Sequence, residues 1–163
     1  MRVDSETAVD ASNDFHKKCA VSLFNGVWNL MEKQDRTPDE TDAMIHMAHA
    51  SRYHWEQVGT AVNLSRGEWQ IARVYAIAGR PEPALYHANR NLEICLSNQI
   101  GDFDLAYAYE GLARAYFTAE DLANFNLYFV KALQASNLIE QDTDKQLLLD
   151  DMKQLQTTAE KLG

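Results

Sequence analysis

The sequence contains few of the residues that interrupt regular secondary structure. Only three prolines and seven glycines occur among its 163 residues, and we expect them to lie between segments of helical period and not inside them. There are only two cysteines, Cys19 and Cys95. Because they form no Cys-x-x-Cys pair, the sequence does not favour a metal knuckle or a redox pair, and we assign both thiols to packing.

The sequence is also short of positive charge and of long apolar runs. Fifteen Lys and Arg against 24 Asp and Glu give a formal net charge of −9, which disfavours binding to phosphate backbones and anionic membranes. No segment is apolar for long enough to cross a bilayer, and residues 1–6 lack the apolar core of a secretory signal. We therefore expect no nucleic acid partner, no membrane partner and a cytoplasmic location.

The sequence does contain apolar residues at the spacing of α-helices. In its first part, apolar residues recur every three or four positions, at Phe15, Cys19, Leu23, Val27 and Leu30. Thr37, Pro38 and Glu40 have the spacing of a capping box with proline at the first helical position, which predicts the start of a second helix. Gly79 and Pro81 are typical of a corner between two antiparallel helices. These patterns predict an all-α protein of about seven helices.

An internal sequence similarity indicates that these helices form repeats. Residues 71–75 and 112–116 share the pattern aliphatic-Ala-Arg-apolar-Tyr at a separation of 41 residues. The same separation relates Ala78 to Ala119 and Leu92 to Leu133, so the similarity spans two successive helices. Self-similarity at a fixed period is the mark of stacked repeat architectures.

This internal similarity predicts that one all-helical domain, residues 1–163, consists of stacked antiparallel helix pairs. We expect a divergent long pair at residues 12–60 and repeat units at residues 63–100 and 103–137. A capping helix at residues 141–161 is expected to cover the end of the stack. Residues 1–11 are polar and are expected to be frayed.

Residues 63–137 resemble the tetratricopeptide repeat. In the first unit, Ile71, Ala72, Tyr75, Gly79 and Ala84 match the large, small, aromatic, glycine and small positions of that family. In the second unit, the matching residues are Leu112, Ala113, Tyr116, Phe129, Ala132 and Leu133. The 41-residue spacing exceeds the usual ~34, which implies longer helices. The resemblance implies a short right-handed superhelix that binds peptide or protein segments in a concave groove.

The resemblance also implies which residues line that groove, namely one face of the first helix in each unit. The matching positions are Arg66, Trp69, Arg73, Ile77, Tyr107, Glu110, Arg114 and Phe117. Arg73 and Arg114 are equivalent, and guanidinium groups suit carboxylates. We therefore expect a partner with an acidic segment or a C-terminal carboxylate. In the alternative interpretation, the two arginines are solvated or paired within the chain.

A second candidate site lies on the second helix. Asp42, His46 and His49 follow i, i+4 and i+7 spacing, so all three could project from one face. Imidazole and carboxylate groups suit zinc or iron, although such sites usually need further ligands. A metal site or an enzyme that uses these residues, with no cofactor otherwise expected, is therefore an alternative to the binding module.

Antiparallel pairing of the first two helices argues against that metal site. A turn near Arg36 places His16 close to His54 and His46 opposite Gly26, so the histidines form two groups and do not converge. Half-buried, hydrogen-bonded histidines are the simpler interpretation.

No known catalytic pattern supports an enzyme. The sequence lacks a glycine-rich phosphate loop, a nucleophile elbow and a His-Glu-x-x-His motif, and no residue is assigned a catalytic role. A third alternative is a structural homo-oligomer such as a homodimer, because a short stack leaves its terminal helices exposed.

Overall fold

The computed structural model describes the backbone of residues 3–162 and the side chains of residues 9–161, and this part of the chain contains seven helices and no strand. The all-α prediction is confirmed. The helices are α1 (Val3–Met31), α2 (Pro38–Val58), α3 (Ala61–Ile77), α4 (Pro81–Ser97), α5 (Asp102–Thr118), α6 (Leu122–Ser136) and α7 (Asp142–Leu162).

Local signals fix several of these boundaries. The Thr37 hydroxyl accepts a hydrogen bond from the Glu40 amide at 3.2 Å, and the Glu40 carboxylate accepts one from the Thr37 amide at 2.9 Å. This capping box confirms the predicted start of α2. Between α3 and α4, Gly79 adopts a φ of +69°, and Pro81 opens the next helix. Glycine suits this left-handed position because it has no Cβ to clash.

Consecutive helices pack as three pairs, α1 with α2, α3 with α4, and α5 with α6. We call the first helix of each pair (α1, α3 and α5) the inner helix and the second (α2, α4 and α6) the outer helix. The outer helices α2 and α4 also pack against the inner helix of the next pair, α3 and α5 respectively. His16 Nδ1 lies 2.8 Å from His54 Nδ1, which confirms the predicted pairing of the first two helices. This arrangement is consistent with a helical repeat.

The core is a series of apolar clusters between successive pairs, each sharing one inner helix with its neighbour. Val27, Met44 and Ile71 belong to the cluster that joins α1 and α2 to α3. A second cluster joins α3 and α4 to α5, and a third joins α5 and α6 to α7. Leu148 of α7 is fully buried in this third cluster, so α7 covers part of the last pair.

The expectation that glycines lie outside the helices was wrong, because Gly26, Gly67 and Gly111 lie within α1, α3 and α5. A Cβ added at Gly26 would lie 2.6 Å from Met47 Cε. The glycine therefore allows a neighbouring side chain to approach its helix closely. We predicted that His46 lies opposite Gly26, and this was wrong by one residue. Successive residues of a helix point about 100° apart, so Met47 faces Gly26 and His46 is exposed.

The first helix begins at Val3 and so includes most of the segment that we expected to be frayed. Side chains 9–15 of this helix are exposed, among them Val9 and Phe15. Met1 and Arg2 lie outside the described residues. Among the described helices, none combines the length and apolar character needed to cross a membrane.

Candidate functional site

The inner helices enclose one side of a cavity of about 490 Å³, and α7 forms part of its wall. Inner helices α1, α3 and α5 contribute nine of its lining residues, α4 one and α7 three. The lining residues are Phe24, Trp28, Ser65, Arg66, Trp69, Arg73, Asn91, Phe103, Asp104, Tyr107, Asp144, Leu147 and Asp151. A cavity of this volume is in the range of sites that enclose a small molecule or an anchoring side chain.

Aromatic rings form most of the apolar wall, and Trp69 lies at their centre. Its ring centroid is 5.7 Å from that of Trp28 and 5.7 Å from that of Tyr107. Phe103 continues the series, 4.7 Å from Tyr107. Edge and tilted contacts of this kind hold the rings in fixed positions. The wall is therefore a preformed aromatic surface built from α1, α3 and α5.

The two equivalent arginines share one carboxylate. Oε1 of Glu110 accepts a hydrogen bond from Arg73 Nη1 at 3.1 Å and from Arg114 Nε at 2.8 Å, and it also contacts Arg114 Nη2. Glu110 is fully buried. Burial favours the neutral carboxyl, but the charges of Arg114 and Arg73 outweigh it and lower the pKa of Glu110. Both arginines are thus paired within the chain.

Arg73 also connects α3 to α7. Its Nη2 lies 3.7 Å from Asp151 Oδ1, and its guanidinium carbon lies 5.6 Å from the ring centre of Trp69. The Tyr107 hydroxyl donates to Asp151 Oδ2 at 3.0 Å. Burial and the nearby Asp151 carboxylate raise the pKa of Tyr107, so this phenol stays protonated. Asp151 therefore fixes α7 to the cavity wall.

Arg66 and Asp104 form the most exposed charged pair of the cavity. Arg66 donates from Nε at 2.7 Å and from Nη2 at 3.1 Å to the two carboxylate oxygens of Asp104. The hydrogen bond to Asp104 raises the pKa of Arg66. Half of the Arg66 side chain is exposed. Each arginine that lines the cavity therefore already faces a carboxylate of the same chain.

The predicted groove residues separate into three groups. Arg66, Trp69, Arg73 and Tyr107 line the cavity. Glu110 and Arg114 do not line it but contact Arg73, directly or through the shared carboxylate. Ile77 packs against the cluster of α1 and α2, and Phe117 packs 5.6 Å from Phe125.

Sequence reasoning missed four lining residues within the repeat units, Ser65, Asn91, Phe103 and Asp104, and every part of the wall that lies outside those units. Trp28 belongs to α1, and Leu147 and Asp151 belong to a helix that we interpreted only as a cap. No local pattern in the sequence indicates that α1 and α7 meet at this cavity, since the approach depends on how the pairs stack.

The residues of the metal hypothesis do not converge. Asp42 lies 3.6 Å from Arg80 Nη2, His46 is exposed, and His49 Nε2 lies 3.0 Å from the Tyr75 hydroxyl. Burial lowers the pKa of His49, and the nearby His87 adds to this effect. Within the described part of the chain, no group of three or more His, Cys, Asp or Glu residues is placed to hold a metal ion.

A scan against protein-family models found no match, and searches of curated proteins and of solved structures found no significant match. Similarity to known proteins therefore adds no information about what the cavity binds. The functional inference depends on the geometry described above.

Proposed function

We propose that this chain is a non-catalytic binding module whose cavity receives a side chain, or a short stretch, of a protein or peptide partner. The observation that carries the proposal is the aromatic wall of Trp28, Trp69, Phe103 and Tyr107, which lines a cavity of about 490 Å³. Rigid aromatic pockets that exclude water are where anchoring residues of a partner contribute most to affinity.

The tetratricopeptide-like sequence pattern supports the same proposal. Its repeated residues fall on α3–α6, and its groove-facing helices supply Arg66, Trp69, Arg73 and Tyr107 to the cavity. In this proposal, the chain acts as an adaptor or scaffold of the tetratricopeptide class, in the cytoplasm.

We also propose that an acidic or C-terminal segment of the partner meets Arg73. A partner carboxylate there would compete with Asp151, whose contact with Arg73 at 3.7 Å is longer than that of Glu110 at 3.1 Å. Since Asp151 is also the less buried of the two carboxylates, it is the one that a ligand displaces. In this proposal, Arg114 stays paired with Glu110, whose carboxylate also accepts a hydrogen bond from Arg73.

Selection of random peptides displayed on phage tests this function. The wild-type protein is the target, and a Leu147→Trp variant serves for counter-selection because Leu147 lines the cavity and its side chain is half exposed. A tryptophan there narrows the cavity without disturbing the core. Leu96→Trp on α4 is the matched control, since Leu96 is exposed to a similar extent outside the cavity.

Synthetic copies of the selected peptides are then titrated while the fluorescence of the tryptophans is followed. We expect binding to wild type and to Leu96→Trp, and a loss of at least about tenfold in affinity for Leu147→Trp. Peptides that bind all three proteins equally, or a selection that yields none, would contradict the proposal.

A further inference from the structure

One part of the cavity wall is polar, uncharged and almost completely buried. Ser65 of α3 and Asn91 of α4 both line the cavity, and each is only 1% exposed. The Ser65 hydroxyl donates a hydrogen bond to Asn91 Oδ1 at 2.7 Å. Cys95 Sγ lies 3.1 Å from Ser65 Oγ and 3.7 Å from the same Asn91 oxygen. The oxygen of the Asn91 amide is therefore satisfied within the chain.

The nitrogen of the same amide is available to a ligand. In the described part of the chain, Asn91 Nδ2 has no hydrogen-bond partner, and the protein does not enclose it completely. Because Asn91 lines the cavity and is otherwise buried, this donor opens into the cavity. Ser65 Oγ gives its hydrogen to Asn91 and keeps a lone pair as an acceptor. The two side chains therefore offer one donor and one acceptor next to each other.

The second repeat unit shows that the fold does not require this polar pair. At a separation of 41 residues, Ser65 and Asn91 correspond to Ala106 and Ala132, which are fully buried in the cluster of α5, α6 and α7. Alanine thus fits both packing positions and leaves no donor unpaired. An unpaired buried donor costs free energy, so its place on the cavity wall of the first unit points to a ligand that completes it.

The surroundings of the pair select an aromatic group with a neutral polar end. Trp69 follows Ser65 by one turn of α3, and Phe103 lines the same cavity from the start of α5. Burial raises the pKa of the Cys95 thiol, so the thiol stays neutral. A charged ligand group would find no counter-charge among Ser65, Asn91 and Cys95, and burying an unpaired charge is unfavourable. A phenol has a flat apolar ring and a hydroxyl that both donates and accepts.

We propose that the side chain that anchors the partner in the cavity is a tyrosine. Its phenol oxygen accepts a hydrogen bond from Asn91 Nδ2, and its hydroxyl donates to Ser65 Oγ. The tyrosine is the anchoring side chain of the proposed function, on which this assignment rests. Ser65 and Arg73 are separated by about 12 Å along α3. The phenol and the carboxylate that meets Arg73 therefore belong to different residues of the partner segment.

The peptides selected from the random phage library test the anchor. We expect those that lose affinity for Leu147→Trp to share a tyrosine. Synthetic copies in which phenylalanine replaces this tyrosine should bind the wild-type protein about tenfold more weakly, because the Asn91 amide is then left unpaired in the complex. Titration followed by tryptophan fluorescence measures both affinities.

The same titration in Asn91→Leu assigns the preference for tyrosine to the amide. Leucine has as many non-hydrogen side-chain atoms as asparagine, and we expect the two peptides to bind this variant within about twofold of each other. Asn89→Leu is the matched control, since Asn89 is exposed on the same helix and its Nδ2 donates to the Leu85 carbonyl. This control keeps the tenfold preference.

Circular dichroism checks that both variants are folded. If Asn91→Leu is not, a variant with Ser65→Ala and Asn91→Ala replaces it, because it gives the first unit the residues that the second unit has at these positions.

Failure of the anchor and failure of the proposed function give different results. Peptides that lose affinity for Leu147→Trp but have no tyrosine, or that bind equally well with phenylalanine, overturn the tyrosine anchor and leave the binding module in place. A tenfold preference that persists in the Asn91 variant also overturns the anchor. A selection that yields no cavity-dependent peptide overturns both.

Discussion

The two repeat units place an arginine at the same position and give it different surroundings. In the first unit, Arg73 follows Trp69 by one turn and lies over its ring. In the second, Arg114 follows Glu110 by one turn and donates to its carboxylate. Both guanidinium groups donate to the buried carboxylate of Glu110, and Arg73, which has Trp69 one turn earlier, also lies over an aromatic ring.

The outer helices of the same units also differ. Glu82 and Glu93 are exposed on α4, whereas their equivalents on α6 are Ala123 and Gln134. The second unit therefore has the less charged exterior, although both units bury a glutamate, Glu68 in the first and Glu110 in the second. Equivalent packing positions such as Ile71 and Leu112 are apolar and buried in both units, while several exposed positions differ.

The largest effect on this comparison is expected from removing the buried charge of the second unit. Glu110→Gln leaves Arg73 and Arg114 without a full counter-charge, and we expect a loss of about 3 kcal/mol in the free energy of unfolding. Urea denaturation at neutral pH measures it. Glu93→Gln, which removes an exposed partner of Arg90, is the control and costs no more than about 0.5 kcal/mol. Equal losses in the two variants would contradict the contrast.

Lowering the pH should remove the contribution of the Glu110 carboxylate to the free energy of unfolding. Because the folded pKa of Glu110 lies below its ordinary value of 4.5, its stabilisation is fully present above that value and is lost as the pH falls through the folded pKa. The stability gap between wild type and Glu110→Gln should therefore narrow progressively below about pH 4.5. Urea titrations at several pH values check this, and a gap that stays constant to strongly acidic pH would contradict it.

Substitution of the two arginines should have different effects on the affinity for a peptide ligand. We expect Arg73→Gln to weaken an acidic peptide from the selection by about tenfold, and Arg114→Gln to change its affinity far less, because only Arg73 lines the cavity. Asp151→Asn should strengthen the same peptide, since it removes the competing carboxylate and keeps an acceptor for Tyr107. Fluorescence titration measures all three. Peptides with lysine in place of their acidic residues are the control and should gain nothing from Asp151→Asn.

The smallest expected effect compares glycines inside the inner helices of the two units. A Cβ at Gly67 would lie 2.7 Å from Arg52 Cδ, whereas one at Gly111 would lie 3.5 Å from Trp69 Cδ1, an ordinary contact. We expect Gly67→Ala to destabilise by about 1 kcal/mol through overpacking. Gly111→Ala should stabilise by up to about 1 kcal/mol through helix propensity. Thermal and urea unfolding give both signs, and equal signs would refute the comparison.

Much of the fold could be read from the sequence because its signals are local. The capping box at Thr37 and the corner at Gly79 depend on residues within one turn of each other, and both are present in the structure. The glycines at positions 26, 67 and 111 misled the prediction. Gly26 and Gly67 admit a side chain from another helix, whereas a Cβ at Gly111 would make only an ordinary contact with Trp69. No local pattern in the sequence records these contacts.

Four of the eight residues predicted to line a groove lie at the cavity for the same reason. Arg66, Trp69, Arg73 and Tyr107 belong to inner helices whose exposed face follows from the repeat. Ile77 and Phe117 lie at the ends of those helices, where neighbouring elements take up the side chain. The helical period gives the direction of a side chain but not whether another helix already occupies that space.

The sequence alone determined that this chain forms seven helices in successive pairs, because capping, corner residues and apolar period act over a few residues. Only the tertiary structure decided which side chains meet across helices. It brought Trp28 and Asp151 to the same cavity from opposite ends of the chain. It also placed Glu110 between two arginines, because the distance and angle between stacked helices depend on packing along their whole length.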